Sequence, residues 1–421
     1  MTQSAIAPLK HARFLPPDAA PDAALIIAAR AVRAFGDGFI SVLLPLYLTR
    51  LGFSGFRIGA VTTSTLVGSA ALTLLVGLVS YRLKRRNLLL SAALLMVATG
   101  LGFAFVHAFW PLLLVAFVGT LNPSSGDVSV FLPLEQTLLP QTVNDRSRTA
   151  LFARYSLAAS LVAACGALFA GVPELISAHT SISFTQAVEG MFLLYALLAL
   201  IAFALYRRLS PAVEPNDGVP DTPLRESKGI VYTLAALFSL DSFGGGFVVQ
   251  ALLALWLFER FDLSLATAGT IFFWTGVCSA FSYLVAVRLA ERIGLIKTMV
   301  FSHLPSNLFL VLVAFMPNLP LAVVFLLLRS MLSQMDVPTR NSYVMAVVTP
   351  AERPAAASVT SVPRSLASAT SPLLSGYLLG LSTFGWPLVI GGVLKGAYDL
   401  LLLGMFAKVR PPEEIGKAEA D

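Results

Sequence analysis

The sequence predicts an all-α integral membrane protein, with twelve transmembrane helices in two pseudo-symmetric six-helix bundles. Three observations carry this. Of the 421 residues, 57% are hydrophobic and only 12% charged, where a soluble domain carries roughly 25% charged residues. Mean hydropathy is +0.80. About twelve apolar runs reach the roughly 20 residues that a bilayer crossing needs, and the second half of the chain repeats the first.

The runs cover residues 23–49, 55–80, 87–107, 110–139, 149–173, 187–206, 229–258, 264–289, 296–316, 319–348, 355–380 and 385–407. We number them spans 1 to 12. The leading stretch MTQSAIAPLKHARFLPPDAAPD lacks an unbroken apolar core and a small-residue cleavage site, so span 1 reads as a retained helix. Between spans 6 and 7 lies RRLSPAVEPNDGVPDTPLRESKG, polar and rich in proline, which reads as a linker. The expected organisation is a tail (1–22), a first bundle (23–206), a linker (207–228), a second bundle (229–407) and a tail (408–421).

The net charge of +6 is gathered in short turns. Arg82, Lys84, Arg85, Arg86, Arg146, Arg148, Arg207, Arg208, Arg225, Lys228, Arg292, Lys297, Lys408, Arg410 and Lys417 fall on one side, and only Arg50, Arg57 and Arg260 on the other. That distribution points to an anionic inner leaflet rather than nucleic acid. It places both termini in the cytoplasm of a multi-pass plasma (inner) membrane protein. Cys165 and Cys278 form no disulfide framework, and His11, His107, His179 and His303 show no metal-ligand spacing. No GxxxxGK[ST] motif is present, so no nucleotide or other cofactor is expected. Nor does a Ser/His or His/Glu constellation suggest an enzyme.

The repeat appears at an offset of about 208 residues, with a small gap between its two stretches. FGDGFISVLLPLYLTRLGFS of span 1 meets FGGGFVVQALLALWLFERFDLS of span 7, and IGAVTTSTLVGSA meets AGTIFFWTGVCSA. Its direction is parallel, as expected when six helices return the chain to the same side. The glycines Gly36, Gly38, Gly244, Gly245 and Gly246 permit close packing or bending of the first helix of each half.

Ionisable residues inside a span cost roughly 2.5–3.5 kcal/mol each at its centre and usually mark a path for ions or solute. Arg33 and Asp37, Asp336 and Arg340, and Lys395 and Asp399 are each spaced four apart, which suggests self-neutralising pairs on one helix face. Arg33 aligns with Asp241 (241 − 33 = 208), which suggests that the two meet across the pseudo-twofold axis. By depth, Glu135 matches Arg154 and Asp336 matches Arg364. Asp127 has no evident partner and follows NPSSG (122–126), a stretch expected to disturb span 4. The proton-handling candidates are Asp37, Asp127, Asp241, Asp336 and Glu135. The solute-binding candidates are Arg33, Arg340 and Arg364, which suit a carboxylate or phosphate, and the aromatics Phe39, Phe243 and Trp274. Lys395 and Asp399 are expected to be structural.

After span 2 the chain reads Gly77-Leu-Val-Ser-Tyr81-Arg82-Leu-Lys84-Arg85-Arg86, and after span 8 Leu289-Ala290-Glu291-Arg292-Ile293-Gly294. With twelve spans in parallel halves, this resembles the major facilitator superfamily and its G-x-L-A-D-R-x-G-R-R loop motif, with Tyr81 in place of the acid and Lys84 in place of the second glycine. The pattern is similar to bacterial drug or solute:proton antiporters of unassigned substrate. The resemblance implies that spans 1, 4, 7 and 10 line a central cavity and that Arg82, Arg85, Arg86, Glu291 and Arg292 gate its cytoplasmic side. It implies a monomeric secondary transporter in the lipid bilayer that exports a small-molecule solute by alternating access, coupled to protons. The alternatives are proton-coupled uptake of an anion and, from another class, a non-transporting membrane sensor.

Overall fold

The computed structural model describes residues 15–79, 83–124, 129–144, 147–214, 224–349 and 352–407. These form helices α1 (Pro21–Arg50), α2 (Gly55–Val79), α3 (Arg85–Phe105), α4 (Phe109–Val118), α5 (Phe131–Leu138), α6 (Arg148–Phe169), α7 (Val172–His179) and α8 (Phe184–Arg207). They continue with α9 (Lys228–Gly246), α10 (Gln250–Phe261), α11 (Leu265–Ile293), α12 (Leu295–Phe315), α13 (Leu319–Leu332), α14 (Asp336–Ala346), α15 (Arg353–Leu381) and α16 (Trp386–Phe406). No strand occurs among the described residues. Ten helical stretches are long and apolar enough to cross a membrane. The two remaining expected spans correspond to α4 with α5, and to α15, a 29-residue helix diluted by Ser, Thr and Ala.

Three expected spans are broken in the middle. Span 4 divides into α4 and α5, span 7 into α9 and α10, and span 10 into α13 and α14. Pro133 and Pro338 occupy matching places in the repeat, at an offset of 205 (338 − 133). A proline lacks the N–H that would bond four residues back, and its ring clashes there. Those positions, Ser129 and Gln334, fall inside the two breaks. The NPSSG stretch occupies the same gap in span 4, where Ser124 donates from N and Oγ to Asn122 Oδ1 at 3.1 and 2.7 Å. In span 7 the break follows Gly244–Gly246 directly. FGDGF in span 1 breaks nothing, since α1 runs unbroken from Pro21 to Arg50. The glycines of both halves pack closely, Gly38 on the Ala163 carbonyl and Gly246 on the Ser368 carbonyl of α15, but only Gly246 also ends a helix.

Gly38 lies against α6 so closely that an added Cβ would collide with the Ala163 carbonyl, and Gly166 meets the Phe35 carbonyl in the same way. Both backbones are rigid helices and neither can yield cheaply. Gly38→Leu should cost at least the roughly 1–3 kcal/mol typical of overpacking. The expected result is a lower melting temperature for the purified variant, with Gly36→Ala milder because its neighbour is the movable Tyr195 ring.

Helices α1–α8 and α9–α16 meet along α2 with α15 and along α6 with α11. The closest approaches lie near the ends that carry the 51–54 loop. Gly59 packs on the Pro372 carbonyl and Gly376, and Gly171 on Ala266. There Glu174 of α7 crosses to the other half and accepts from the backbone N–H groups of Leu265 and Ala266, at 2.7 and 3.2 Å. It caps the first turn of α11, where the orphan donors and the helix dipole favour an anion. Deeper, Gln250 Nε2 donates to Ser41 Oγ at 2.9 Å, and Ala251 N–H donates to the Pro123 carbonyl at 3.0 Å. That last bond joins the breaks of spans 4 and 7.

A carboxylate cap is worth about 1 kcal/mol, or roughly fivefold in a two-state population. Glu174→Ala should therefore loosen this face. With Cys165 and Cys278 replaced by Ser, a thiol at Ser41→Cys should react several-fold faster with a membrane-impermeant maleimide once Glu174 is truncated. An unchanged rate would mean that the cap holds nothing shut.

The opposite ends carry the linker. Glu214 accepts from the N–H groups of Arg85 and Arg86 at 3.0 and 2.9 Å. Glu352 accepts from Arg225, Glu226 and Ser227 at 2.5, 2.9 and 3.0 Å. The Arg225 N–H foremost, with those of Ser227 and Glu226, holds the Glu352 carboxyl down to about 2, so it stays ionised at neutral pH. Each end of the linker is thus fastened by a carboxylate to a helix start.

Candidate functional site

Each half holds a buried ion pair between its first and fourth spans, at matching places and with the signs exchanged. In the first half, Arg33 of α1 donates through Nη2 to Glu135 Oε2 of α5 at 2.5 Å. In the second, Arg340 of α14 faces Asp241 of α9 at 3.4 Å. Arg33 corresponds to Asp241 (offset 208) and Glu135 to Arg340 (340 − 135 = 205). Both clusters lie near mid-membrane. At 1.5 Å per residue, Arg33 and Asp241 are each about 20 Å along their helices from the linker-side start.

The first cluster is closed. Glu135 is wholly buried and accepts from Arg33, from Tyr155 Oη at 2.6 Å and from Tyr206 Oη at 2.6 Å. Arg33 also donates from Nε to Tyr206 Oη at 3.0 Å, and its guanidinium stacks 4.0 Å from the Phe131 ring centre. Both Glu135 oxygens are engaged, as a buried charge requires. Asp37, one turn beyond Arg33, is buried beside it with Asn122 as a hydrogen-bond partner.

The second cluster is open. Asp241 Oδ1 accepts from Lys395 Nζ of α16 at 2.6 Å, and Arg340 bonds Asp336 one turn away at 3.1 Å. Asp399 accepts from Asn307 Nδ2 at 2.8 Å and faces His303 Nδ1 at 2.9 Å, both on α12. The other His303 nitrogen lies 3.8 Å from Asp241. Beside them is a cavity of about 180 Å³ lined by Asp241, His303, Ser306, Asn307, Arg329, Ser333, Gln334, Asp336, Val337, Arg340 and Lys395. The break between α13 and α14 gives it room: a continuous helix would carry Ser333 and Gln334 through its ladder.

Several expected pairings are corrected. Arg33 and Asp241 do not meet, because each binds within its own half. Glu135 pairs with Arg33 rather than Arg154, whose Nη1 is buried without a hydrogen-bond partner among the described residues. Arg33 does not neutralise Asp37 as a self-contained helix pair, since its short ion pair is with Glu135. Lys395 and Asp399 are not a closed peripheral pair either. Lys395 serves Asp241 and lines the cavity, while Asp399 serves α12. The Asp336–Arg340 pair forms as its spacing predicts; Arg364 is half-buried on α15.

Phe39 is wholly buried and packs edge-on against Phe35, in the core rather than on a cavity. Phe243 packs against Phe247, and Trp274 is exposed on α11. Asp127 and Arg82 lie outside the described residues, as does the side chain of Glu291. Of the remaining gate candidates, Arg85 and Arg86 are bound to Glu214 within their own half. Arg86 also donates to the Arg207 carbonyl at 2.5 Å, and Arg292 is exposed. Sequence reasoning missed Tyr155, Tyr206, His303, Asn307 and Arg329. A lone arginine in FLLLRSML, and a histidine and asparagine four apart in span 9, were the available signals.

A sequence model described as Major Facilitator Superfamily matches residues 26–243 and again 234–421. The chain belongs to the Major Facilitator Superfamily. Its double match follows the internal repeat. Among curated proteins, this superfamily member is 25% identical to the uncharacterized membrane protein YJR124C of Saccharomyces cerevisiae, over 93% of this chain and 95% of that one. Among solved structures it is similar to the nucleoside transporter NupG, at TM-score 0.69 and 14% identity over 92% of this chain and 99% of that one. It is also similar to an inward-facing, occupied bacterial homologue of the human lysosomal transporter Spinster, at TM-score 0.71 and 14% identity, over 92% and 97%. The human organic anion transporter MFSD10 follows at TM-score 0.62 and 18% identity, over 91% and 100%. These likenesses establish the fold. A superfamily member of this architecture is a secondary transporter.

Proposed function

We propose that the protein moves a small organic solute by alternating access, coupled to protons through the cluster around Asp241, in the direction of export. The observation that carries the reading is the asymmetry of the two charge clusters. The first is saturated and buried, which suits a fixed hinge for its half. The second offers Asp241 three cationic or protonatable neighbours within 4 Å beside a polar cavity. A carboxylate with several competing partners can exchange them, or take a proton, as the cavity opens to each side. The similarity to structures described as nucleoside and organic anion transporters supports a small organic solute.

In this reading residues 23–206 and 229–407 are the rocking bundles. Both termini and the linker face the cytoplasm, the membrane is the plasma (inner) membrane and the protein acts as a monomer. The Glu174 face is then external and shut. Arg82, Arg85, Arg86, Glu291 and Arg292 remain the candidates for the opposite gate, and Asp37 and Asp127 for secondary proton sites.

Flux into proteoliposomes under an imposed pH gradient tests the proposal. Solute movement that follows the gradient and collapses with a protonophore supports coupling. Movement indifferent to the gradient removes it, and binding without any movement leaves a sensor. The second reading, uptake of an anion, is favoured by the arginines of the cavity lining, Arg329 and Arg340, although Arg33 is fully engaged by Glu135.

A further inference from the structure

The cavity contains a cation that the fold leaves unanswered. Lys395 is met by Asp241 at 2.6 Å and Arg340 by Asp336 at 3.1 Å, so both acids of the lining are taken. Arg329 is different. It sits one turn before the end of α13, fixed by its carbonyl, which accepts from Ser333 N–H at 2.9 Å and Ser306 Oγ at 3.3 Å. Arg329 is among the residues that line the cavity. The guanidinium Nε is buried without a hydrogen-bond partner, and no carboxylate pairs with Arg329 among the described residues.

A guanidinium presents five donors in a rigid fork, and it is always charged. Leaving one unpaired inside a membrane protein is costly. No described residue supplies an acid for it, and a compensating anion from outside the chain would answer it. The fork geometry matches a carboxylate or phosphate bidentately. Ser333 and Gln334, freed by the helix break, add neutral hydrogen-bonding groups beside it. The N-terminal residues of α14, Asp336 and Val337, also border the cavity, so the positive end of that helix points the same way; Asp336 opposes an anion there, but Arg340 neutralises it.

We infer that this cavity binds a small oxyanion, a carboxylate or a phosphate, with Arg329 as its principal ligand. The inference rests on the transport reading for what the site is for, not for how it is detected. The volume of about 180 Å³ has room for a carboxylate group or a single phosphate.

Binding to the purified full-length protein in detergent decides it, without any need for flux. Succinate and inorganic phosphate are titrated at constant ionic strength while the melting temperature is followed. Chloride and choline serve as controls. The expected result is a saturable rise with succinate or phosphate and none with the controls, and the better of the two identifies the source. Arg329→Gln should weaken that binding at least tenfold. Arg329→Lys, which keeps the charge and loses the fork, should lie between, and Arg260→Gln in the last turn of α10 should match wild type. Failure of both anions to stabilise the wild type overturns the inference, as does wild-type affinity in Arg329→Gln. Should that variant not fold, Arg329→Lys carries the test, and undiminished affinity there overturns it too. Anion binding without flux in vesicles sinks only the transport reading; gradient-driven flux without anion binding sinks only this one.

Discussion

Glu135→Ala is expected to be the most destabilising single substitution in the first half. It removes the one anion that neutralises buried Arg33 and takes an acceptor from both Tyr155 and Tyr206. Breaking a buried ion pair by deleting one partner costs about 3–5 kcal/mol, because the survivor is left charged and unpaired. Each stranded hydroxyl adds roughly 1–3 kcal/mol unless water reaches it. Total stability is typically only about 5–15 kcal/mol, so the variant should melt far below wild type or fail to accumulate. The decisive comparison is the double variant Arg33→Met with Glu135→Leu, which removes both charges. If the pair is a structural clasp, the double variant should recover most of the folded yield, and a double-mutant cycle should show strong coupling. If Glu135 instead carries protons, the double variant should fold yet lose gradient-driven flux.

The sequence already held the signs that explain this clasp, but not the partners. That Arg33 and Asp241 are equivalent was visible in the repeat, as was the cost of a charge inside a span. The alignment gives equivalence, however, and not adjacency: two residues related by a pseudo-twofold axis here each find a partner on their own side of it. The missing fact was that Pro133 and Pro338 are also equivalent. They bring Glu135 and Arg340 to the same height as Arg33 and Asp241 by breaking spans 4 and 10. Depth counted along an unbroken helix led to Arg154 instead. The irregularity at NPSSG was readable because Pro, Gly and Ser weaken a helix locally. The break after Gly246 was not, since FGDGF and FGGGF look alike in sequence and yet only the second ends its helix. His303 shows no metal-ligand spacing in the sequence, and it and Asn307 acquire meaning only when α16 brings Asp399 to them.

The same logic, with signs reversed, makes Asp241→Asn the substitution with the largest expected effect on transport. Asp241 is the acid shared by Lys395, Arg340 and His303, at 2.6, 3.4 and 3.8 Å. An asparagine keeps the shape and the oxygen but cannot balance two cations. Lys395 Nζ keeps neutral acceptors, the amide oxygen in place of Oδ1 and the backbone carbonyl at 3.4 Å, but loses its counter-charge. Arg340 keeps Asp336, so the fold of α14 should survive. What should fail is the exchange of partners on which coupling depends. In proteoliposomes, pH-driven movement of any solute that the wild type transports should fall more than tenfold. Solute exchange at equal pH on both sides, which needs no net proton transfer, should persist. Lys395→Met added to Asp241→Asn should restore the folded yield by removing the surplus charge, without restoring the response to the gradient. Should Asp241→Asn follow the pH gradient as wild type does, the proton route would have to lie elsewhere, and Asp37 beside Asn122 would be the next carboxylate to change.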